Sequence, residues 1–243
     1  MSRAELRGAH VIASAQGRSG RLTLTSPAHR NALSAELVVE AIAGLAYLAD
    51  HGVRVGVLDA ARPAFCAGVD LSLPITAAPG TPDLRLFEAI LDSPILWIAA
   101  IDGPALAAGM ALAALCPVTL ATERAWFALP EIKLGIFPGR VTGYLDAVLP
   151  QRALMAHALT GERIDAGTAA DLGLVTEVVA SAELPAAAER WVSRLLAADD
   201  AFLAAAAASW TAQFGAPEAV AHRAENDRLL AENITALAAE DRQ

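Results

Sequence analysis

Lysine is almost missing from this chain: among 18 basic residues, Lys133 alone is not an arginine. The 27 acidic residues outnumber them and set the net charge at −9, with no basic stripe along any segment. Nothing in such a chain displaces counterions from phosphates, which argues against a nucleic-acid partner. Cysteine is scarce too. Cys66 and Cys116, both in apolar surroundings, make no disulfide framework, so a reducing compartment, the cytoplasm, is expected. The five histidines at 10, 29, 51, 157 and 222 lack metal-ligand spacing, and no metal is expected. Glycine-rich phosphate loops of the Walker or Rossmann type are absent. The segment Met1-Ser2-Arg3-Ala4-Glu5-Leu6-Arg7 has no apolar stretch of the kind that marks a signal peptide.

Apolar residues are abundant, at 55% of the chain. The stretch from Pro94 to Ala121 is nearly uncharged, which raises the question of a membrane span. Asp102-Gly103-Pro104 interrupts it and Pro117 closes its helical part, so it reads as buried strand, turn, buried helix and strand. No membrane partner is expected. At 243 residues the chain accommodates one large domain, or one domain with a helical appendage. We expect a core over residues 1–185 and a helical region over 186–243, with no Ser/Gly-rich linker between independent domains.

Short apolar runs alternate with helical patterns in the first half. His10 to Ala15 and Arg21 to Thr25 predict a hairpin, with Gln16 to Gly20 as its turn. Ser34 caps a predicted helix over Ala35 to Asp50, where Leu37, Val38, Ala41, Leu45 and Leu48 recur at helical spacing. Val53 to Leu58 and Leu96 to Ile101 read as buried strands, Val118 to Ala121 as a third. A loop over Pro74 to Pro82 leads into a helix over Asp83 to Leu91. A short helix follows Gly139, then helices over Gln151 to Leu159 and Asp165 to Leu172 and a strand over Leu174 to Val179. From Leu184 the pattern is alanine-rich helix. Strand, turn and helix repeat in the manner of an α/β fold.

Two small-residue turns stand out: Ala64-Phe65-Cys66-Ala67-Gly68-Val69-Asp70-Leu71 and Asp102-Gly103-Pro104-Ala105-Leu106-Ala107-Ala108-Gly109-Met110-Ala111-Leu112-Ala113. Nothing bulky shields their backbone N–H groups. Facing each other, they can form an oxyanion hole. Glu131 lies in the mostly apolar run Phe127 to Ile136, where desolvation raises a carboxyl's pKa and suits it to acid–base work. Equally, Pro130-Glu131 can open a helix, with the macrodipole stabilising the charge. Both readings stand at this point. Cys66 beside Phe65 reads as inert packing, and Asp70 as a local cap. His29-Arg30 is either a phosphate contact or a solvated loop pair.

Taken in order, these segments resemble the crotonase (enoyl-CoA hydratase/isomerase) superfamily over roughly positions 10 to 240. Arg30-Asn31-Ala32-Leu33-Ser34 resembles the family's entry to its first helix, and the two turns its oxyanion segments. Leu129-Pro130-Glu131 with Leu134-Gly135-Ile136 and Pro138-Gly139 is similar to its glutamate turn, and Ala166 to Val179 to its late helix–strand signature. The resemblance implies a spiral of ββα units whose helical C-terminal region supports a homotrimer or a dimer of trimers. It also implies an acyl-CoA thioester as ligand, coenzyme A being part of the substrate, with no separate cofactor.

By the same resemblance, the N–H groups of Val69 and Ala108 polarise the thioester carbonyl and Glu131 is the catalytic acid. Arg30 and Ala32 lie near the phosphates and pantetheine arm, and Ala67, Gly68 and Leu71 line the adenine bend. Asp70, Leu106, Gly109, Ala111 and Leu134 complete the expected substrate contacts. The loop over Leu73 to Leu86 with Trp97, Trp126 and Phe137 shapes the acyl pocket.

Four departures carry weight. Family hydratases have a second glutamate where this chain has Ala111, so two-carboxylate activation of water is lost. No aspartate stands at Gly139, where dienoyl isomerases place a second acid. The second turn reads Ala107-Ala108-Gly109 in place of three glycines, and the chain ends at Gln243 where relatives continue into a CoA-binding tail. The expectation is single-glutamate 3-enoyl to 2-enoyl-CoA isomerisation. A non-catalytic acyl-CoA-binding protein and a weak hydratase are the alternatives.

Overall fold

Valine- and isoleucine-rich runs become the middle of the sheet, and alanine-rich amphipathic segments cover it. The computed structural model describes residues 4–73 and 76–240. In chain order, β1 (Ala4–Arg7), β2 (Val11–Gln16) and β3 (Ser19–Leu24) form an antiparallel meander. After α1 (Ala35–Asp50), strands β4 (Val55–Ala60), β5 (Leu96–Ile101) and β7 (Val118–Thr122) pair in parallel, with α2 (Pro82–Leu91) before β5. Between β5 and β7 lie β6 (Pro104–Leu106) and α3 (Ala108–Leu115). Then come β8 (Trp126–Ala128), α4 (Gly139–Leu145), α5 (Gln151–Thr160), β9 (Ile164–Asp165), α6 (Ala166–Asp171) and β10 (Glu177–Val179). Helices α7 (Leu184–Leu196), α8 (Asp200–Gly215) and α9 (Pro217–Glu240) end the described chain.

Among the described residues the main sheet has seven strands, ordered β1-β2-β3-β4-β5-β7-β10, and β6-β8-β9 form a small second sheet. All six residues of β5 and all eight of α3 are buried, which explains the uncharged run without a membrane. No helix among the described residues is long and apolar enough to cross one. Alternation along β5 divides the core. Trp97, Ala99 and Ile101 face α1, α2 and α3, while Leu96, Ile98 and Ala100 join Val55, Val57 and Leu120 against α7 and α8. Burying each such branched side chain is worth about 1.5–3 kcal/mol relative to exposure.

Most predicted elements appear within a residue or two of their expected bounds. The hairpin turn is tighter than expected: pairing runs to Gln16 and Ser19, and Gly17 at φ +60° completes a two-residue turn. The late strand is shorter, because Leu174 and Val175 bury their side chains in the core and pairing with β7 starts only at Glu177. Of the predicted loop, Pro74 and Ile75 lie outside the described residues.

One polar side chain ties the centre together. Asn31 is fully buried in the left-handed region at φ +53°. Its Oδ1 accepts the Ser26 N–H at 2.7 Å, and its Nδ2 donates to the carbonyls of Ala61 (2.8 Å) and Ala64 (2.7 Å). It joins the α1 entry to the end of β4 and the start of the first small-residue turn. Asn31→Ala leaves those groups buried and unpaired, so we expect a stability loss of about 2–4 kcal/mol in urea unfolding, with an unchanged m-value.

Candidate active site

The two small-residue turns meet through their backbones. Phe65 N–H donates to the Pro104 carbonyl at 2.9 Å, and Leu106 N–H to the Cys66 carbonyl at 2.9 Å. So close an approach depends on missing side chains. A Cβ on Gly109 would lie 2.5 Å from the Cys66 oxygen, and one on Gly103 2.8 Å from the Pro63 oxygen. Gly68, at φ +98°, is another point where the turns face each other closely. A Cβ there would lie 3.0 Å from that of Ala107 and 3.9 Å from the Ala108 nitrogen.

Among the donors that this contact leaves unused are two that border one cleft. Leu33 N–H donates to the Gly68 carbonyl and Asp70 N–H to the Leu33 carbonyl, so the Val69 amide between them is bypassed. Ala107 takes φ 51°, ψ −119°, a strained conformation for an L-residue, and its own N–H donates to Ala128. The chain then enters α3 with Ala108 as first helical residue. Among the described residues, neither the Val69 nor the Ala108 N–H has an acceptor. Both residues line one cleft of about 700 Å³, open mouth included. Two amides aimed at one space, one of them at a helix N-terminus, can hold an oxygen that gains negative charge.

Glu131 lines the same cleft. It sits in a 3-10 turn over Pro130–Leu134 that Gly135 ends at φ +69°. The turn is too short for an appreciable macrodipole. Its Oε2 is buried with no hydrogen-bond partner, and burial raises the carboxyl pKa to about 7, opposed by its own backbone N–H. The surroundings therefore favour the desolvated acid over the helix-start reading.

The other expected residues are dispersed. Asp70 lines the cleft, where its carboxylate accepts the Ser72 N–H at 2.9 Å, a bond that holds its pKa below the usual range. Arg30 is exposed, and its carbonyl accepts the Ala67 N–H. Leu71 and Leu134 are exposed, whereas Gly68 and Gly109 serve the backbone contact and Leu106 pairs with Cys66. Ala32 is partly buried outside the cleft lining. Ala111 is fully buried in the core. Cys66 is also buried, and burial pushes its thiol up to about 12, far from a reactive thiolate.

Phe137 lines the cleft as expected, but two tryptophans do not. Trp97 is buried against Gly56, and Trp126 stacks under the Arg163 guanidinium at 3.9 Å. Of the cleft wall, Asp83 falls in the expected Leu73 to Leu86 stretch, whereas Arg140 and Leu230 were not anticipated. Arg140 had a signal: it is the lone charge between Ile136 and Tyr144. Leu230, brought from α9 by tertiary packing, had none. Among the described residues no group of three or more His, Cys, Asp or Glu is placed to hold a metal ion.

Solved structures share this architecture. An enoyl-CoA hydratase from Mycobacterium tuberculosis H37Rv superposes with a TM-score of 0.80 at 28% identity, covering 96% of this chain and 99% of that one. One from Mycobacterium smegmatis gives 0.78 at 31% identity, covering 90% of each. The class is thus the crotonase-type α/β fold. A 2,3-dehydroadipyl-CoA hydratase of Escherichia coli K12 is 38% identical over 179 residues, 70% of this chain and 69% of that protein. A probable enoyl-CoA hydratase of Rhizobium meliloti is 36% identical over 176 residues, 70% and 68% of the two. The family model for enoyl-CoA hydratase/isomerase matches residues 17–240, and the chain belongs to that family.

Burial of Glu131 has a sign that can be checked. Its carboxyl ionises near 7 when folded and near 4.5 otherwise, so the folded chain binds the extra proton between those values. Its contribution to stability is full below about 4.5 and is lost as pH rises through about 7. Glu131→Gln is therefore expected to be more stable than the wild type in mildly alkaline buffer, by on the order of 2 kcal/mol. Thermal unfolding across that pH range measures the difference, which should vanish in acid.

Proposed function

We propose that this protein acts on acyl-CoA thioesters and moves a double bond, converting 3-enoyl-CoA to 2-enoyl-CoA with Glu131 as the proton carrier. The observation that carries the reading is Glu131, a desolvated carboxyl with a raised pKa, in the cleft lined also by Val69 and Ala108 with their unpaired amides. With the thioester oxygen on those amides, ionised Glu131 removes a proton from the carbon next to the carbonyl. The electron pair spreads over a dienolate whose negative oxygen the two N–H groups hold. Glu131 then returns the proton two carbons along, leaving the double bond conjugated with the thioester. No proton is gained or lost overall, and one acid suffices. The reaction needs no cofactor beyond the CoA of the substrate.

Names of the relatives favour water addition as the second reading. Against it stands Ala111, a buried methyl where hydratases of the family carry their other glutamate. One carboxylate has to position water and protonate carbon at once, a poorer arrangement than two. Exposed Ile132, Leu134, Met155 and Leu159 beside the glutamate turn support assembly into trimers or a dimer of trimers.

Isomerisation of 3-enoyl-CoA, followed by the absorbance of the conjugated product, should fall by on the order of 10³-fold in Glu131→Gln. Its kcat/KM should rise as pH passes through about 7, because the ionised form is the base. Faster hydration of 2-enoyl-CoA than isomerisation by the wild type defeats this reading.

A further inference from the structure

The cleft wall carries a second polar set that the proton transfer does not use. Asp83, the second residue of α2, is 3% exposed and lines the cleft. Its one polar contact among the described residues is an ion pair with Arg140 Nη1 at 3.6 Å, and no N–H or O–H donates to it within hydrogen-bond distance. A buried carboxylate with unfilled acceptor sites is costly. Arg140, 8% exposed, is anchored more fully. Its Nε donates to Asp227 at 3.2 Å, its Nη1 to Thr81 Oγ1 at 2.9 Å and its Nη2 to the Ala78 carbonyl at 3.3 Å. Each terminal nitrogen keeps one further N–H. The pair stands among Phe137, Val141 and Leu230, with Thr76 and Thr81 as the hydroxyl groups in the same lining.

We infer that Asp83 and Arg140 form a subsite for a hydroxyl group at or near the end of the acyl chain, an inference that rests on the acyl-CoA reading above. The hydroxyl donates to the Asp83 carboxylate, and its oxygen accepts from Arg140. An unsubstituted chain leaves the ion-paired carboxylate with acceptor sites unfilled against hydrocarbon, which a site built for hydrogen bonding penalises. A terminal carboxylate is rejected for a different reason. Asp70, Asp83 and Glu131 line the cleft against the single cation Arg140, which Asp227 already engages. A second negative charge enters an acidic site, whereas a neutral hydroxyl meets no repulsion.

Calorimetric titration of the wild-type protein tests this with saturated, unreactive ligands. Butanoyl-, hexanoyl- and octanoyl-CoA are compared with their terminally hydroxylated counterparts and with the corresponding dicarboxylic mono-CoA thioesters. At the length that reaches the pair, the hydroxylated ligand should bind at least about tenfold tighter than the unsubstituted one, and the carboxylated ligand weaker than either. Asp83→Asn keeps the volume and removes the charge; it should erase most of the hydroxyl preference and improve binding of the carboxylated ligand relative to wild type. A pair that only braces α2, α4 and α9 gives no such reversal. If the hydroxylated ligand is no tighter at any length, the subsite is refuted while the acyl-CoA reading stands. If no thioester binds, both fall. Should Asp83→Asn not fold, the wild-type series alone decides.

Discussion

The rest of the site depends on backbone touching backbone where the two small-residue turns meet. Phe65, Cys66, Pro104 and Leu106 exchange hydrogen bonds there, at a separation that Gly103 and Gly109 permit and any Cβ prevents. Val69 and Ala108 keep N–H groups without an acceptor among the described residues, and both residues line the cleft. The arrangement is held by the sheet ends behind it, with Asn31 below one turn and Asp102 below the other. Asp102 accepts from Thr122 at 2.8 Å, Ser181 at 2.9 Å and Arg62 at 2.7 Å. Donors fixed in this way need little reorganisation when charge develops on the ligand, which is the source of their strength in a water-poor site.

Ala107 and Gly68 illustrate how one turn constrains the other. With a methyl at Ala107, the facing position has to be bare, because a Cβ on Gly68 would approach that methyl to 3.0 Å. Ala107 also holds a strained conformation that costs roughly 1–3 kcal/mol, offset by the surrounding hydrogen bonds and packing. That strain turns the Ala108 amide out of the chain's own network. The methyl narrows the approach to the amides without filling any donor, so the departure from three glycines changes the width of the site and preserves its polarity.

The sequence carried much of this, and unevenly. The helix over Ala35–Asp50 and the strand over Leu96–Ile101 were legible to the residue, the first from its helical periodicity and Ser34 cap, the second from an unbroken apolar run. Short strands such as β1, β8 and β9 were not, since their patterns are too brief and, for β8 and β9, the partners are distant in sequence. In the site, the turns and Glu131 announced themselves through small residues and one acid in an apolar run. Trp97 and Trp126 looked like pocket walls by size alone and proved to be a core residue and an arginine platform. Asp83 and Arg140 are far apart in sequence, and only the packing of α2 against α4 shows that their charges share a cleft.

Helix α9 decides how closed that cleft is. Gly139 and Gly143 let it lie directly on α4: a Cβ at Gly139 would stand 2.8 Å from the Asn226 oxygen, and one at Gly143 2.6 Å from Arg223. From this position Asn233 accepts the Phe137 N–H at 2.9 Å and donates to the Gly135 carbonyl at 3.2 Å, clamping both ends of the segment that follows Glu131. Leu230 completes the apolar wall and Asp227 holds Arg140. The last helix of the chain thus sets the environment of the acid as well as the polar pair in the wall. Burial of Glu131 raises its pKa, and Leu230 of α9 lines the same cleft, so the docking of α9 contributes apolar surface beside the carboxyl.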